Sequence, residues 1–575
     1  MSEGVSALLS PAVPPRVITQ RVHWTERIGH CVLLGMGAVL GVALFAPIYM
    51  ILAKSVEDSE GNFVGLVHFA AYFQTPALAQ SIWNSVWVSS LVMLITVPAA
   101  FTFAYALTRS CMHFKTLLRN IALIPLLAPS LLSAISFIYW FGNQGALKSW
   151  MGDTQIYGAR GIVLSLVYAT FPHALMILVT ALSLTDARLY EAADSMGTRA
   201  LRKFFTITLP AAKYGLISAA MVVFTYAISD FGVPKVIGGN FNVMATDIFK
   251  LVIGQQDFAK GAVVGIMLLV PVLFTYIIDL LVQRRQMAQL TARSVPYSPA
   301  RARGFDLAMT VFCWLVAALM LAVVGMAMWA SFIKLWPYDL SLSFTHYRMG
   351  LVEAGIFDAY VNSIKMALWC AAAGTVFVFV CAYLLEKTRG LDWLRPVLRM
   401  FAVLPMGVPG LVLGLGFIFF FNHPANPLNG IYHTMAILVI ATVVHYYSSS
   451  HLTALTALKQ IDNEFEAVSA SLKVPFFKTF LVVTVPVCLP AILDISRYFF
   501  VNAMTTISAV VFLYSPDTML AAIAILNLDE AGEIGPATAM ATLIVLTSSA
   551  ACFLYYLLNR FLEVKTQAWR KPAQN

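Results

Sequence analysis

The chain has 575 residues, 60% of them hydrophobic and only 11% charged, with a mean hydropathy of +0.79. Soluble domains run at about 45–50% apolar and about 25% charged, so this composition excludes an ordinary soluble enzyme and indicates a polytopic membrane protein. The formal net charge of +9 matters through its placement more than through its sum.

The first 26 residues are polar and contain prolines. The apolar run after them is too long for a signal-peptide core and predicts an uncleaved anchor. A crossing helix needs about 20 mostly apolar residues. The first half of the chain holds six such segments, at 28–52, 82–107, 118–141, 161–184, 214–236 and 261–281. The second half holds six more, at 305–332, 362–385, 397–421, 430–450, 491–513 and 537–558. A basic stretch with Ser, Pro and Gly, 284–303, separates them. The expected fold is an all-α membrane protein: twelve transmembrane helices in two six-helix units, 1–290 and 305–575, joined by a cytoplasmic linker at 291–304. With the N-terminus inside, 27 of the 37 Lys and Arg residues fall on cytoplasmic segments. That bias puts both termini in the cytoplasm.

The two halves repeat. Asn84-Ser85 opens a span in one and Asn362-Ser363 in the other; Ala104-Tyr105 with Arg109 is matched by Ala382-Tyr383 with Lys387; Ile124-Pro125 and Pro129 are matched by Leu404-Pro405 and Pro409. The offset drifts only from 280 to 276. A direct repeat in one orientation relates the units by a pseudo-two-fold along the membrane normal.

Two polar loops interrupt the apolar pattern, 186–210 and 462–486, each placed before the fifth span of its unit. In the first, Leu189, Ala192, Ala193 and Met196 recur at helical spacing and form one face of mostly small residues. Gly197 follows where a helix end needs a left-handed residue. Arg199, Arg202 and Lys203 then open a second short helix, and Leu209-Pro210 leads into the next span. A helix–Gly–helix elbow between two spans is a rigid lever. In the second loop the matching face is Phe465, Val468, Ser469 and Leu472, before Pro486. A plain amphipathic helix at the lipid surface accounts poorly for two such loops at matched spacing.

Glu191-Ala192-Ala193, Gly197 and Leu209-Pro210, between the fourth and fifth span of a six-span unit, resemble the coupling loop of bacterial ABC importer permeases. The resemblance covers the whole chain as two fused units. It is weaker in the second loop, where Lys473 takes the Gly place and Glu466 stands one position before Ala467, the slot matching Glu191. The resemblance implies that Glu191, Ala192, Ala193, Gly197, Leu209, Pro210, Glu466, Ala467, Leu472, Lys473 and Pro486 form the ATPase-coupling elbows. It implies a pair of cytoplasmic ABC ATPase subunits and a periplasmic substrate-binding protein as partners, and residence in a bacterial inner membrane. The chain carries no G-x-x-x-x-G-K-[ST] phosphate loop, so ATP hydrolysis is expected in a separate subunit, and the chain itself is expected not to be an enzyme. No cofactor, resident metal or nucleic acid is expected.

Polar residues inside spans mark functional places. Ser229-Asp230 and Thr505-Thr506 with Ser508 occupy equivalent positions in the two fifth spans and are the candidate translocation path. Asp494 and Arg497, one turn apart, predict a local ion pair. His445 predicts a packed core residue. The segments holding Asp247, Lys250, Gln255, Gln256 and Asp257, and 515–536 with Asp517, Asp529, Glu530 and Glu533, are candidate surfaces for a binding protein. The seven cysteines lie in or beside apolar segments with no close pairs, and so predict neither a disulfide framework nor a zinc site.

For the substrate, Asp230-Phe231-Gly232, Thr506 to Leu513 and Leu526 to Glu533 resemble the ferric-iron and phosphonate branch of these permeases. The putative 2-aminoethylphosphonate group is the nearest likeness. Ferric iron is the main rival; thiamine, sulfate and polyamine are further ones. A secondary transporter of the major-facilitator type also has six plus six spans, but would need proton-relay carboxylates deep in the bundle, and Asp230 is the one good candidate.

Overall fold

The computed structural model describes residues 24–58, 61–289, 297–388, 390–462, 464–472 and 474–566. Among these, nine helices are long and apolar enough to cross a membrane, and two bent pairs raise the number to eleven. The twelfth expected place, 118–141, is broken into Lys115–Ala122, a 3₁₀ turn Ile124–Leu127 and a helix Ser130–Phe141. The second unit breaks identically, 280 residues on, as Arg395–Val403, Leu404–Gly407 and Gly410–Phe421, with a bend of 112°. The repeated prolines explain both breaks. Proline cannot donate to the helix ladder and pushes the residue before it out of the α region.

The fifth spans are shorter than expected. Leu209–Ser229 and Leu489–Thr505 both stop at the same repeat position. The next residues, Asp230 (φ −69°, ψ 130°) and Thr506 (φ −69°, ψ 140°), are extended. Of the polar residues picked out as the path, Ser229 and Thr505 therefore end these helices, Asp230 and Thr506 cap them, and Ser508 lies beyond.

The first span of each unit lies on the other unit. Trp24–Val56 packs on Gly410–Phe421, and Arg303–Phe332 packs on Ser130–Phe141. At the second of these crossings Trp140 Nε1 donates to the Ala322 carbonyl (3.2 Å) and Ser136 Oγ donates to that of Val323. Such interhelical bonds hold spans together where burial of apolar surface gives little help.

The repeated Asn-Ser pairs have a structural task at the face opposite the elbows. Ser85 Oγ accepts from Met244 N–H and Ser363 Oγ from Ala521 N–H, each at 2.8 Å. Each serine thus caps a short helix, Met244–Phe249 or Ala521–Glu530, that folds back into the bundle. Parts of both candidate binding-protein surfaces are therefore packed into the bundle. Asp247 is buried and accepts from Ser81 Oγ. In 515–536 the run Ala521–Leu526 is buried, while Asp517 and Glu533 remain exposed. Within the expected linker, residues 291–296 lie outside the described residues.

Candidate functional site: two elbows and a shared cavity

In the first elbow Asp186 caps the helix Ala187–Ser195 by accepting from Arg188 N–H (3.1 Å). Gly197 ends it at φ +68°. Gly197 N–H donates to Asp194 O and Thr198 N–H to Ala193 O, both at 2.9 Å, the paired bonds of a left-handed helix end. The chain reverses into Ala200–Lys203, a π turn Phe204–Thr208 and the fifth span. The second elbow runs Glu464–Ser471, Phe476–Thr479, Phe480–Thr484, each later piece 276 residues on. Val474 N–H donates to Ser469 O at 2.9 Å, the counterpart of the Thr198 bond. Lys473, in the Gly197 place, lies outside the described residues.

The exposed faces of both elbows carry large apolar side chains among polar ones. Leu189 and Met196 are 53% and 76% exposed, and Phe465, Val468 and Leu472 are 49%, 56% and 70% exposed. Glu191, Ala192, Ala467 and Pro210 are exposed as well, and Leu209 and Pro486 are half-buried. One expected member of the outer face, Ala193, and one further expected coupling residue, Glu466, point inward instead. Ala193 joins Ala187 and Tyr190 on the buried side, because positions three apart share a face and the side holding Tyr190 is packed. Glu466 is turned to Lys387 (3.3 Å), whose side chain is only 4% exposed.

The Ala-Tyr and basic-residue repeat at the end of each second span grips these elbows. Tyr105 packs edge-on against Phe204 (5.7 Å) and Tyr383 against Phe480 (4.6 Å). The basic residue then pins the first helix of the elbow at one shared position, Tyr190 or Glu466. In unit one Arg109 lies over the rings of Tyr190 (5.2 Å) and Tyr297 (4.6 Å) and donates to Leu182 O (2.8 Å). Tyr190 also shares a hydrogen bond with Thr208 (2.8 Å). In unit two Lys387 pairs with Glu466 and donates to Ile461 O (3.0 Å). Tyr190 and Tyr297 carried no signal of their own in the sequence.

Above the elbows the two units enclose a cavity of about 270 Å³. Ser229, Asp230, Thr505, Thr506 and Ser508 all line it. The Asp230 carboxylate accepts from Val233 N–H (2.9 Å), holding the turn after the fifth span. Ser130 Oγ sits where a Cβ on Gly232 would fall, and Ser508 Oγ where one on Gly410 would fall. Ser130 is the repeat partner of Gly410, and Ser508 of Gly232, so one close Ser–Gly contact is kept in both units with its partners exchanged.

The cavity wall corrects one expectation. His445 is half-buried on that wall, not packed in the core. His173 and Tyr226 join it from unit one, and Tyr446 and Tyr498 from unit two. The sequence reading missed these; their one signal was aromatic and imidazole side chains in the fourth and fifth spans. Asp494 and Arg497 form the expected local pair at 3.1 Å. Lys235 of unit one reaches Glu530 of unit two at 2.5 Å, near the face opposite the elbows. Next to Glu530, burial raises the Asp529 carboxyl to about 6, helped by the Glu530 charge and opposed by Lys235. Among the described residues no group of three or more His, Cys, Asp or Glu is placed to hold a metal ion.

Comparison with known proteins agrees with this duplicated architecture. Residues 97–287 and 374–566 each match the family described as binding-protein-dependent transport system inner membrane component. Similar proteins include the ferric transport system permease protein FbpB of Actinobacillus pleuropneumoniae, 27% identical over 83% of this chain and 71% of that protein. A putative ferric transport system permease protein of Haemophilus influenzae is 26% identical over 77% of this chain and 71% of its own length. The molybdenum transport system permease protein ModB of Escherichia coli K12 is 32% identical over 27% of this chain and 69% of its own length. The chain, carrying that permease domain twice, belongs to the binding-protein-dependent transport system inner membrane component family.

Proposed function

We propose that this chain supplies the whole translocation path of an ABC importer, receiving solute from a binding protein and driven by two separate ATPase subunits docked on the elbows. The observation that carries this is the pair of matched elbows, each with large apolar side chains on its exposed face, hung beneath one cavity lined by both units. A monomer keeps such faces exposed when a partner covers them. The distribution of Lys and Arg supports an elbow face in the cytoplasm, with both termini on that side.

For the solute we favour ferric iron over 2-aminoethylphosphonate. The likeness of Asp230-Phe231-Gly232, Thr506 to Leu513 and Leu526 to Glu533 is to a branch that joins ferric iron and phosphonate, so it does not separate the two. Two relatives that cover most of this chain are ferric permeases by name. Among the described residues, the cavity wall carries Asp230 and Asp279 and no Lys or Arg. A phosphonate would lose its hydration there with no cation to replace it.

The test is ATP-driven uptake into proteoliposomes holding this chain, its ATPase and its binding protein. Ferric uptake that 2-aminoethylphosphonate does not inhibit is the expected result. Phosphonate uptake that ignores iron would overturn the substrate. Uptake without any ATPase, abolished by a proton uncoupler, would overturn the importer itself.

A further inference from the structure

The cavity holds more polar equipment than the fold requires. A fold-derived feature of a duplicated protein recurs at the repeat position, as the broken third spans and the Ser–Gly contacts do. The aromatic and imidazole residues do not. At the 276 offset, Tyr226 corresponds to Asn502, Tyr498 to Val222, Tyr446 to Thr170, His173 to Ser449 and His445 to Ala169. Both units nonetheless deliver such residues to the same space. His173 lies against Tyr226 with ring centroids 4.3 Å apart, and His445 against Tyr446 at 4.6 Å, with Tyr498 5.9 Å beyond. Tyr226 is 44% exposed, so it is not there to fill a core. His445 Nδ1 is shut off from solvent and has no hydrogen-bond partner.

We propose that Tyr226, Tyr446 and Tyr498, backed by His173, His445 and Asp230, form a transit site for a hard metal cation, held through phenol oxygens contributed by both units. This rests on the cation-importer reading above. Ferric iron accepts phenolate oxygen, and imidazole suits iron as well. In each Tyr–metal contact the phenol O–H bond breaks, an iron–oxygen bond forms and the proton passes to solvent. Iron stays ferric throughout, so no reductant is needed. Passage requires a site strong enough to admit the ion and weak enough to release it.

The experiment uses the full complex, chain plus ATPase plus binding protein, in lipid nanodiscs, with ferric citrate as the probe. The expected result is a visible tyrosinate-to-iron charge-transfer absorption in the permease. It should be lost in a Y446F/Y498F variant and weakened at least about tenfold in binding by Y226F. Tyr→Phe keeps the rings and removes only the oxygens. Unchanged binding in both variants would overturn the proposal by showing that ring faces, as in cation–π recognition of an organic ammonium, do the holding. Absence of bound iron in a complex that assembles and hydrolyses ATP would also overturn it while leaving the importer reading intact. A complex that never assembles would overturn that reading, and this proposal with it.

Discussion

The two elbows share a backbone and differ in what pins them. Coupling helix, reversal, π turn and fifth span recur at an offset of 276, and so does the cation reaching in from the second span. In unit one that cation is Arg109 under two tyrosine rings, one of them Tyr297 from the chain segment joining the units. In unit two it is Lys387 on the Glu466 carboxylate. Duplication has kept the mechanical part, set by helix geometry and π turns, while the chemistry of the pin has changed from aromatic to ionic. A lever must be rigid where it meets the bundle, and either chemistry achieves that. They should respond differently to perturbation.

The largest effect should come from Lys387→Met. It leaves Glu466 partly buried without its cation, and breaking such a pair costs about 3 kcal/mol where burial is substantial. Transport should fall at least tenfold, and Glu466→Gln in the same chain should restore most of it. Failure of the rescue would show that the ion pair is not what holds the second elbow. Gly197→Leu comes next. A side chain at φ +68° costs about 1–2 kcal/mol even though no atom lies within 4 Å of a Cβ there, so ATPase co-purification should drop together with a small fall in the thermal midpoint. Tyr297→Ala should weaken only the first elbow, by about 0.5–2 kcal/mol of cation–π contact, measured as faster hydrogen exchange in 187–195 without change in 464–471. Smallest is the effect of salt. Raising ionic strength should loosen the second elbow slightly more than the first, because an ion pair is screened and ring stacking is not. Equal exchange in both elbows under both treatments would erase the distinction.

Much of this was legible in the sequence, for physical reasons that can be named. Hydropathy located the spans because a bilayer demands length and apolarity together. The offset of Asp186 from Asp462 located the elbows, and the place of Gly197 identified the left-handed helix end. Ser229, Asp230, Thr505, Thr506 and Ser508 did reach one cavity, since repeat-related positions in a pseudo-two-fold meet near the axis. What hydropathy could not see was breakage. Segment 118–141 reads as one apolar run, and Pro125 and Pro129 break it in three. Nor could apolarity show that Ala521–Glu530, inside one candidate binding-protein surface, is a helix folded into the bundle. The pins were half visible. Arg109 and Lys387 stood out as repeats, but Tyr190 and Tyr297 are distant in sequence and meet only after folding. Tyr226, Tyr446 and Tyr498 looked like ordinary apolar filling, because a tyrosine scores alike whether its hydroxyl faces a cavity or a helix.

The central claim is that both elbows are seats for an ATPase. A photo-crosslinking side chain placed at Met196 in one variant and at Val468 in another, irradiated in membranes holding the assembled transporter, tests it directly. The account predicts a covalent adduct to the ATPase subunit from each position, stronger with ATP than without. Adducts to lipid alone at both positions would contradict it.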